Sequence, residues 1–147
     1  MLFLLSTALF VVLLDQTSKI YVRNLLSPGD SLPVIKGFLY ITHIQNKGAA
    51  FGLLGGRQFL FVIVTILSIA LIAIYYFRAR ESHPLFNLAL GLEVGGAIGN
   101  LIDRLRLGGV TDFLNVRVWP VFNVADTAIV AGVILLILVS LVAMVKH

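Results

Sequence analysis

Four long apolar runs dominate the chain, separated by two mixed intervals and one short basic turn. Leu2–Leu14 is apolar almost throughout, and polar residues then recur as a stripe. At the helical step of about 100° per residue, Asp15, Gln16, Lys19 and Arg23 fall in one sector, while Thr17, Ile20 and Tyr21 point elsewhere. The run has the length of a signal-peptide core, yet no basic residue precedes it and "LLDQTSKIY" offers no small-residue cleavage site. The pattern therefore predicts a helix to about Arg23, with a polar stripe that faces protein or water. Phe59–Phe77 is the simplest crossing and ends at "RARESHP". A third run, about 85–102, carries Gly91, Gly95 and Gly99 at four-residue spacing, a pattern that lets another helix approach closely. The fourth covers about 124–145. Because about 20 residues of helix cross a bilayer, the expectation is an all-α membrane protein with four transmembrane helices. They span about 2–23, 59–77, 85–102 and 124–145, within a single integral-membrane domain 1–147 whose termini share one side.

The mixed intervals read differently. Residues 28–57 contain "GFLYITHIQNKGAAFGLLGG", where β-rich "FLYITHI" gives way to a glycine-rich loop. Residues 108–122, "GGVTDFLNVRVWPVF", begin with paired glycines, alternate in places and end near Pro120. Both are expected to form short strands or loops of a small β-rich extramembrane platform.

Composition supports the membrane assignment. The 147 residues are 59% hydrophobic and 12% charged, against about 45–50% and about 25% in soluble domains, and mean hydropathy is +1.02. There is no cysteine, which excludes disulfides, thiolate metal sites and a thiol nucleophile. His43, His83 and His147 are far apart and lack metal-ligand spacing, so no metal or other cofactor is expected. Catalysis would fall to carboxylates, hydroxyls or amides. The formal charge of +4 suits Lys and Arg at lipid headgroups, and no nucleic-acid partner is expected. Basic residues number eight on the platform side (Lys19, Arg23, Lys36, Lys47, Arg57, Arg104, Arg106, Arg117) and three on the terminal side (Arg78, Arg80, Lys146). By the positive-inside rule that count places the platform in the cytoplasm.

A charged side chain at the centre of a spanning helix costs about 2.5–3.5 kcal/mol on insertion scales, so such residues need a partner or a task. Asp15, Glu93, Asp103 and Asp126 lie in or beside crossings, and Asp112 lies in the platform. Structural readings exist for most of them. Asp15 and Lys19, spaced i,i+4, can neutralise each other. Asn123 is a good N-cap with Asp126 at N3, so "NVAD" resembles a capping box. Arg104 suits the end of the third helix and can neutralise Asp103. Glu93, on the same face as Asn100, reads by default as a buried protonated or paired acid.

A sharper reading joins Asp112 to Asp126. The interval of 126 − 112 = 14 residues would cover about 21 Å as helix, so the two meet only if "FLNVRVWPVFN" folds back against the mouth of the fourth helix. Two adjacent carboxylates share one proton across coupled titrations. One then accepts a proton from water while the other donates to a carbonyl oxygen, an acid/base division that needs neither cysteine nor metal. Its position at the helix start suits Asp126 to the role of base.

In order along the chain stand "DQTSK", "NKGAAFG", "GGAIGNLIDR", "GGVTDF" and "FNVADTAI". Together they resemble the lipoprotein signal peptidases of bacteria, the signal peptidase II family. The resemblance implies an aspartic endopeptidase of the bacterial inner membrane that cuts diacylglyceryl-modified prolipoproteins before the lipidated cysteine and is inhibited by globomycin. Its partners would be those substrates and membrane lipid, with the enzyme a monomer. It places the catalytic pair at Asp112 and Asp126, and supporting residues at Asp15, Lys19, Asn46, Asn100, Arg104, Asn123 and Ala125. Within this frame, Asp15 and Lys19 brace the platform from below, and Arg104 holds platform backbone or a lipid headgroup. Gly48 in "NKGAAFG" would let a substrate backbone come close. The resemblance also implies cytoplasmic termini and an outward-facing platform, opposite to the charge count. Two features depart from the family pattern: a short interval between the aspartates, and Glu93 where an apolar residue would be expected. Other classes stay open on the residues alone, namely a small proton-coupled transporter relaying through Asp15 or Glu93 and a non-catalytic assembly protein. Presenilin-like proteases are disfavoured because Gly-x-Gly-Asp is missing.

Overall fold

A computed structural model describes residues 1–48, 58–79 and 83–145. In chain order the elements are α1 (Leu2–Leu25), β1 (Ser31–Ile35), β2 (Leu39–Asn46), α2 (Gln58–Ala79), α3 (Pro84–Leu107), β3 (Val110–Asn115) and α4 (Val124–Val145). All four helices are long and apolar enough to cross a membrane. Three outlast their expected ends. Helix α1 continues to Leu25 and α2 to Ala79, and α3 continues beyond Ile102 to Leu107 because Asp103 is neutralised inside the bundle. Pro84 starts α3 after His83, whose ring accepts the Leu85 N–H at 3.3 Å. Gly108 stops it in the left-handed region at φ 68°, its N–H returning to the Arg104 carbonyl at 3.2 Å.

Helix α3 is the central element, with α1, α2 and α4 packed along it. The glycine stripe does what its spacing predicts, and α1 is the partner. A Cβ on Gly95 would lie 2.8 Å from the Ala8 carbonyl oxygen, and one on Gly99 would lie 2.6 Å from Asp15 Oδ2. Helix α2 buries none of its residues, as suits an apolar helix whose remaining surface meets lipid.

The platform is a three-stranded antiparallel sheet in the order β1-β2-β3. "FLYITHI" supplies most of β2, and Gly37 at φ 84° makes the tight return from β1. Ile44 faces Asp112 and Asn46 faces Val110 across β2 and β3. The sheet sits on the helix ends through a cluster of Val22, Leu26 and Phe113, joined by Ile41, Leu114 and Val124. The buried His43 ring donates to the Leu26 carbonyl at 2.8 Å and ties β2 to the end of α1. The glycine-rich part of the first interval, residues 49–57, lies outside the described residues, as do Arg80 and Lys146.

Candidate active site

The site starts with the local chemistry of the α4 N-terminus. Asn123 Oδ1 accepts the Asp126 N–H at 2.9 Å, and Asp126 Oδ2 accepts the Asn123 N–H at 3.2 Å. The expected capping box is therefore complete, and it satisfies donors that a helix start otherwise leaves unpaired. Upstream, the chain folds back as required. Phe122 returns to Leu114, its carbonyl accepting the Phe113 and Leu114 N–H groups at 2.9 and 2.7 Å and its own N–H donating to the Leu114 carbonyl at 3.1 Å. That reversal delivers Asn123 to Asp112: Asn123 Nδ2 donates to Asp112 Oδ1 at 2.7 Å. One fully buried asparagine thus joins the two aspartates, through its side-chain nitrogen on one hand and its oxygen and backbone on the other.

Each aspartate has one further amide donor. Asn46 Nδ2 reaches Asp112 Oδ2 at 2.8 Å, while Asn46 Oδ1 accepts the Gly48 N–H at 3.0 Å. Asn100 Nδ2 reaches Asp126 Oδ1 at 2.8 Å, and Asn100 Oδ1 accepts from Lys19 Nζ at 3.0 Å. Lysine only donates, so Lys19 fixes which end of the Asn100 amide meets Asp126. Asp112 is 3% exposed, and its carboxyl is pushed up to about 6. Burial is the main cause and the charge of Asp126 adds to it, while the amides of Asn46 and Asn123 and the charge of Lys19 pull the other way.

Both carboxylates open on a cavity of about 220 Å³. Asn46, Gly48, Asn100 and Arg104 line it on the polar side, and the returning segment Trp119–Phe122 forms a wall. Among the residues expected at the site, Asp15, Lys19 and Ala125 lie behind it. Asp15 and Lys19 are fully buried and paired at 2.8 Å, and Asp15 Oδ1 accepts the Ala125 N–H at 3.0 Å. They therefore grip α4 and Asn100 within the bundle, and Lys19 meets the platform through Asp103, whose Oδ2 accepts the Thr111 N–H of β3. The expected pairing of Asp103 is corrected: its ion-pair partners are Lys19 at 3.4 Å and Arg23 at 3.8 Å, not Arg104. Arg104 turns to α2 instead, donating to Gln58 Oε1 at 3.4 Å with its guanidinium 4.5 Å above the Phe61 ring. Glu93 shares a face with Asn100 but joins none of this. Its buried Oε1 has no hydrogen-bond partner among the described residues.

Sequence reasoning passed over Gln16, Arg23, Asp103 and Thr111 as site residues. The signal for the first two was already visible in the polar stripe of α1, whereas Asp103 and Thr111 gain their roles only from the path of β3.

The family model for signal peptidase (SPase) II matches residues 7–142. The chain belongs to the signal peptidase II family. A lipoprotein signal peptidase of Moorella thermoacetica is 52% identical over 132 residues, covering 90% of this chain and 88% of that protein. One of Halothermothrix orenii is 48% identical over 130 residues, covering 88% and 89%. A solved bacterial membrane enzyme superposes with a TM-score of 0.91 at 34% identity, covering 98% of this chain and 90% of its own. A second superposes with a TM-score of 0.86 at 36% identity. This signal peptidase II is accordingly a multi-pass bacterial membrane peptidase, with four apolar helices and a small antiparallel sheet.

Proposed function

We propose that this peptidase removes signal peptides from diacylglyceryl-modified prolipoproteins, cutting before the lipidated cysteine, with Asp112 and Asp126 as its catalytic pair. The observation that carries the reading is the single buried Asn123 that contacts both carboxylates on one cavity. Asp112, raised to about 6, is the member that retains the shared proton, and Asp126 is the base. Asp126 takes a proton from water as the water oxygen attacks the scissile carbonyl carbon, and Asp112 gives its proton to the carbonyl oxygen. In the second step the proton on Asp126 passes to the amide nitrogen, the C–N bond breaks, and one hydroxyl of the diol returns its proton to Asp112. The amides of Asn46, Asn100 and Asn123 hold the pair without adding charge. Gly48, on the cavity wall, leaves room for substrate backbone, and Arg104 places a positive charge on the same wall.

The proposal extends to topology: termini in the cytoplasm of the bacterial inner membrane, active site at its outer face. The charge count that argued otherwise includes Lys19, Arg23 and Arg104, which are engaged within the protein and so do not act as free loop charges. The transporter reading loses support from Asp15, whose carboxylate is paired with Lys19 at 2.8 Å and bonded to Ala125. The test is cleavage of a diacylglyceryl-modified prolipoprotein in liposomes by the parent, Asp112→Asn and Asp126→Asn. Both variants are expected to be inactive while folded, and substantial cleavage by either would sink the pair. Because the chain is cysteine-free, orientation is read by labelling. Lys36→Cys should react with an impermeant maleimide in intact spheroplasts, and His83→Cys only after permeabilisation.

A further inference from the structure

Behind the catalytic cavity lies a second pair of carboxylates. Asp15 on α1 is fully buried and Asp103 on α3 is 1% exposed. Lys19 Nζ lies between them, at 2.8 Å from Asp15 Oδ2 and 3.4 Å from Asp103 Oδ2. Gln16 Nε2 spans the same two acids, at 3.1 Å from Asp15 Oδ2 and 3.2 Å from Asp103 Oδ1, and lies 3.0 Å from the Gly99 carbonyl oxygen. Its two hydrogens are shared among three acceptors. Each acid also holds one backbone N–H, Asp15 through the oxygen turned away from Lys19 and Asp103 through the same Oδ2 that faces Lys19. Asp15 Oδ1 accepts the N–H of Ala125 at 3.0 Å, and Asp103 Oδ2 accepts the N–H of Thr111 at 2.9 Å. Ala125 immediately precedes Asp126, and Thr111 immediately precedes Asp112. Arg23 completes the Thr111 side, with Nη1 3.0 Å from its Oγ1.

We propose that Asp103 and Gln16 are positioning residues that, with Asp15 and Lys19, form a buried clamp fixing the separation of Asp112 and Asp126. The two catalytic aspartates come from different elements, a strand edge and a helix start, and the covalent chain between them runs through the exposed segment around Val118 and Trp119. That segment is a poor ruler. The clamp measures the separation on the opposite side, from two helices that already pack at the Gly99 contact. A buried, ion-paired carboxylate is suited to this because it holds a backbone N–H in a fixed direction with a charge-assisted bond. The clamp also reaches Asp126 through its side chain, since Lys19 orients Asn100.

This inference rests on the catalytic pair proposed above, and its test separates the two. Gln16→Met keeps side-chain length and leaves both acids paired with Lys19, and Asp103→Asn sets an amide nitrogen against donors. Purified variants are compared for kcat, KM, thermal midpoint and the pH profile of kcat, beside Asp112→Asn and Asp126→Asn. Both clamp variants are expected to lose about 10- to 100-fold in kcat with KM little changed, the cost typical of groups that orient reacting ligands. The two limbs of the pH profile are expected to draw together, because carboxylates free to separate repel less. Asp103→Glu, which keeps a charged acceptor, is expected to recover part of the rate. Parental kcat and pH profile in folded Gln16→Met and Asp103→Asn, with only the thermal midpoint lowered, would overturn the clamp while leaving the pair intact. Cleavage surviving in Asp112→Asn or Asp126→Asn would overturn the pair itself. If Asp103→Asn does not fold, Gln16→Met decides alone.

Discussion

Asn123→Ser separates two tasks that one residue performs. Serine still caps α4, since its hydroxyl accepts the Asp126 N–H, but it is too short to replace the amide that donates to Asp112 Oδ1 at 2.7 Å. A hydrogen bond to a charged group contributes about 1.5–3 kcal/mol, and one to a neutral group about 0.5–1.5 kcal/mol. Loss of the amide therefore disfavours the ionised form of Asp112 relative to the protonated form by about 1–1.5 kcal/mol, close to one pH unit at about 1.36 kcal/mol per unit. The Asp112 carboxyl already stands at about 6, with the Asn123 amide among the influences that lower it; without that amide it moves higher. If Asp112 carries the shared proton, the limb on which activity falls with rising pH should move up by about one unit. The assay is kcat/KM for prolipoprotein cleavage across pH, which reports the free enzyme. An upper limb that stays in place, or moves down, in a folded Asn123→Ser protein would refute the assignment of the proton to Asp112.

Three further outcomes follow from the same geometry. The folded value of Asp112, about 6, lies above its ordinary 3.8. Between these values the folded chain holds a proton that the unfolded chain has lost, so stability falls as pH rises through the window and stays lower above it, by up to about 3 kcal/mol. The difference in thermal midpoint between pH 4 and pH 7 should shrink in Asp112→Asn, and an unchanged difference would contradict the burial argument. Gly99→Ala places a methyl group 2.6 Å from Asp15 Oδ2; overpacking of this kind costs about 1–3 kcal/mol. It should lower the thermal midpoint and cleavage together, and parental values for both would show that α1 and α3 do not meet as described. Glu93→Met removes a buried oxygen that has no described partner, so the midpoint should rise by the equivalent of about 1–3 kcal/mol with kcat unchanged. A fall in kcat would give Glu93 a role in the reaction.

Much of the fold was legible because the bilayer imposes a simple rule. A spanning segment must be apolar and must satisfy its own backbone, so four apolar runs become four helices. Element ends were less legible. Helix α3 outruns its expected limit because Asp103, the acid just past that limit, is neutralised by Lys19 and Arg23 of another helix. Partner choice was equally hidden. Arg104 adjoins Asp103 in sequence, yet its guanidinium lies over Phe61 of α2, because neighbours along a helix point in different directions.

The sequence by itself determined the membrane class, the glycine face open to another helix, the cap at Asn123 and the short roster of polar residues that a membrane protein must justify. These are local or compositional properties, fixed by helical periodicity and by the cost of polar groups in lipid. Only the tertiary structure decided that Asp112 reaches the mouth of α4. There Phe122 pairs back onto Leu114, and buried acids of the packed helices α1 and α3 accept the N–H groups of the residues before each aspartate. Such bonds join residues up to 110 positions apart, and no periodicity along a chain encodes a distance across it.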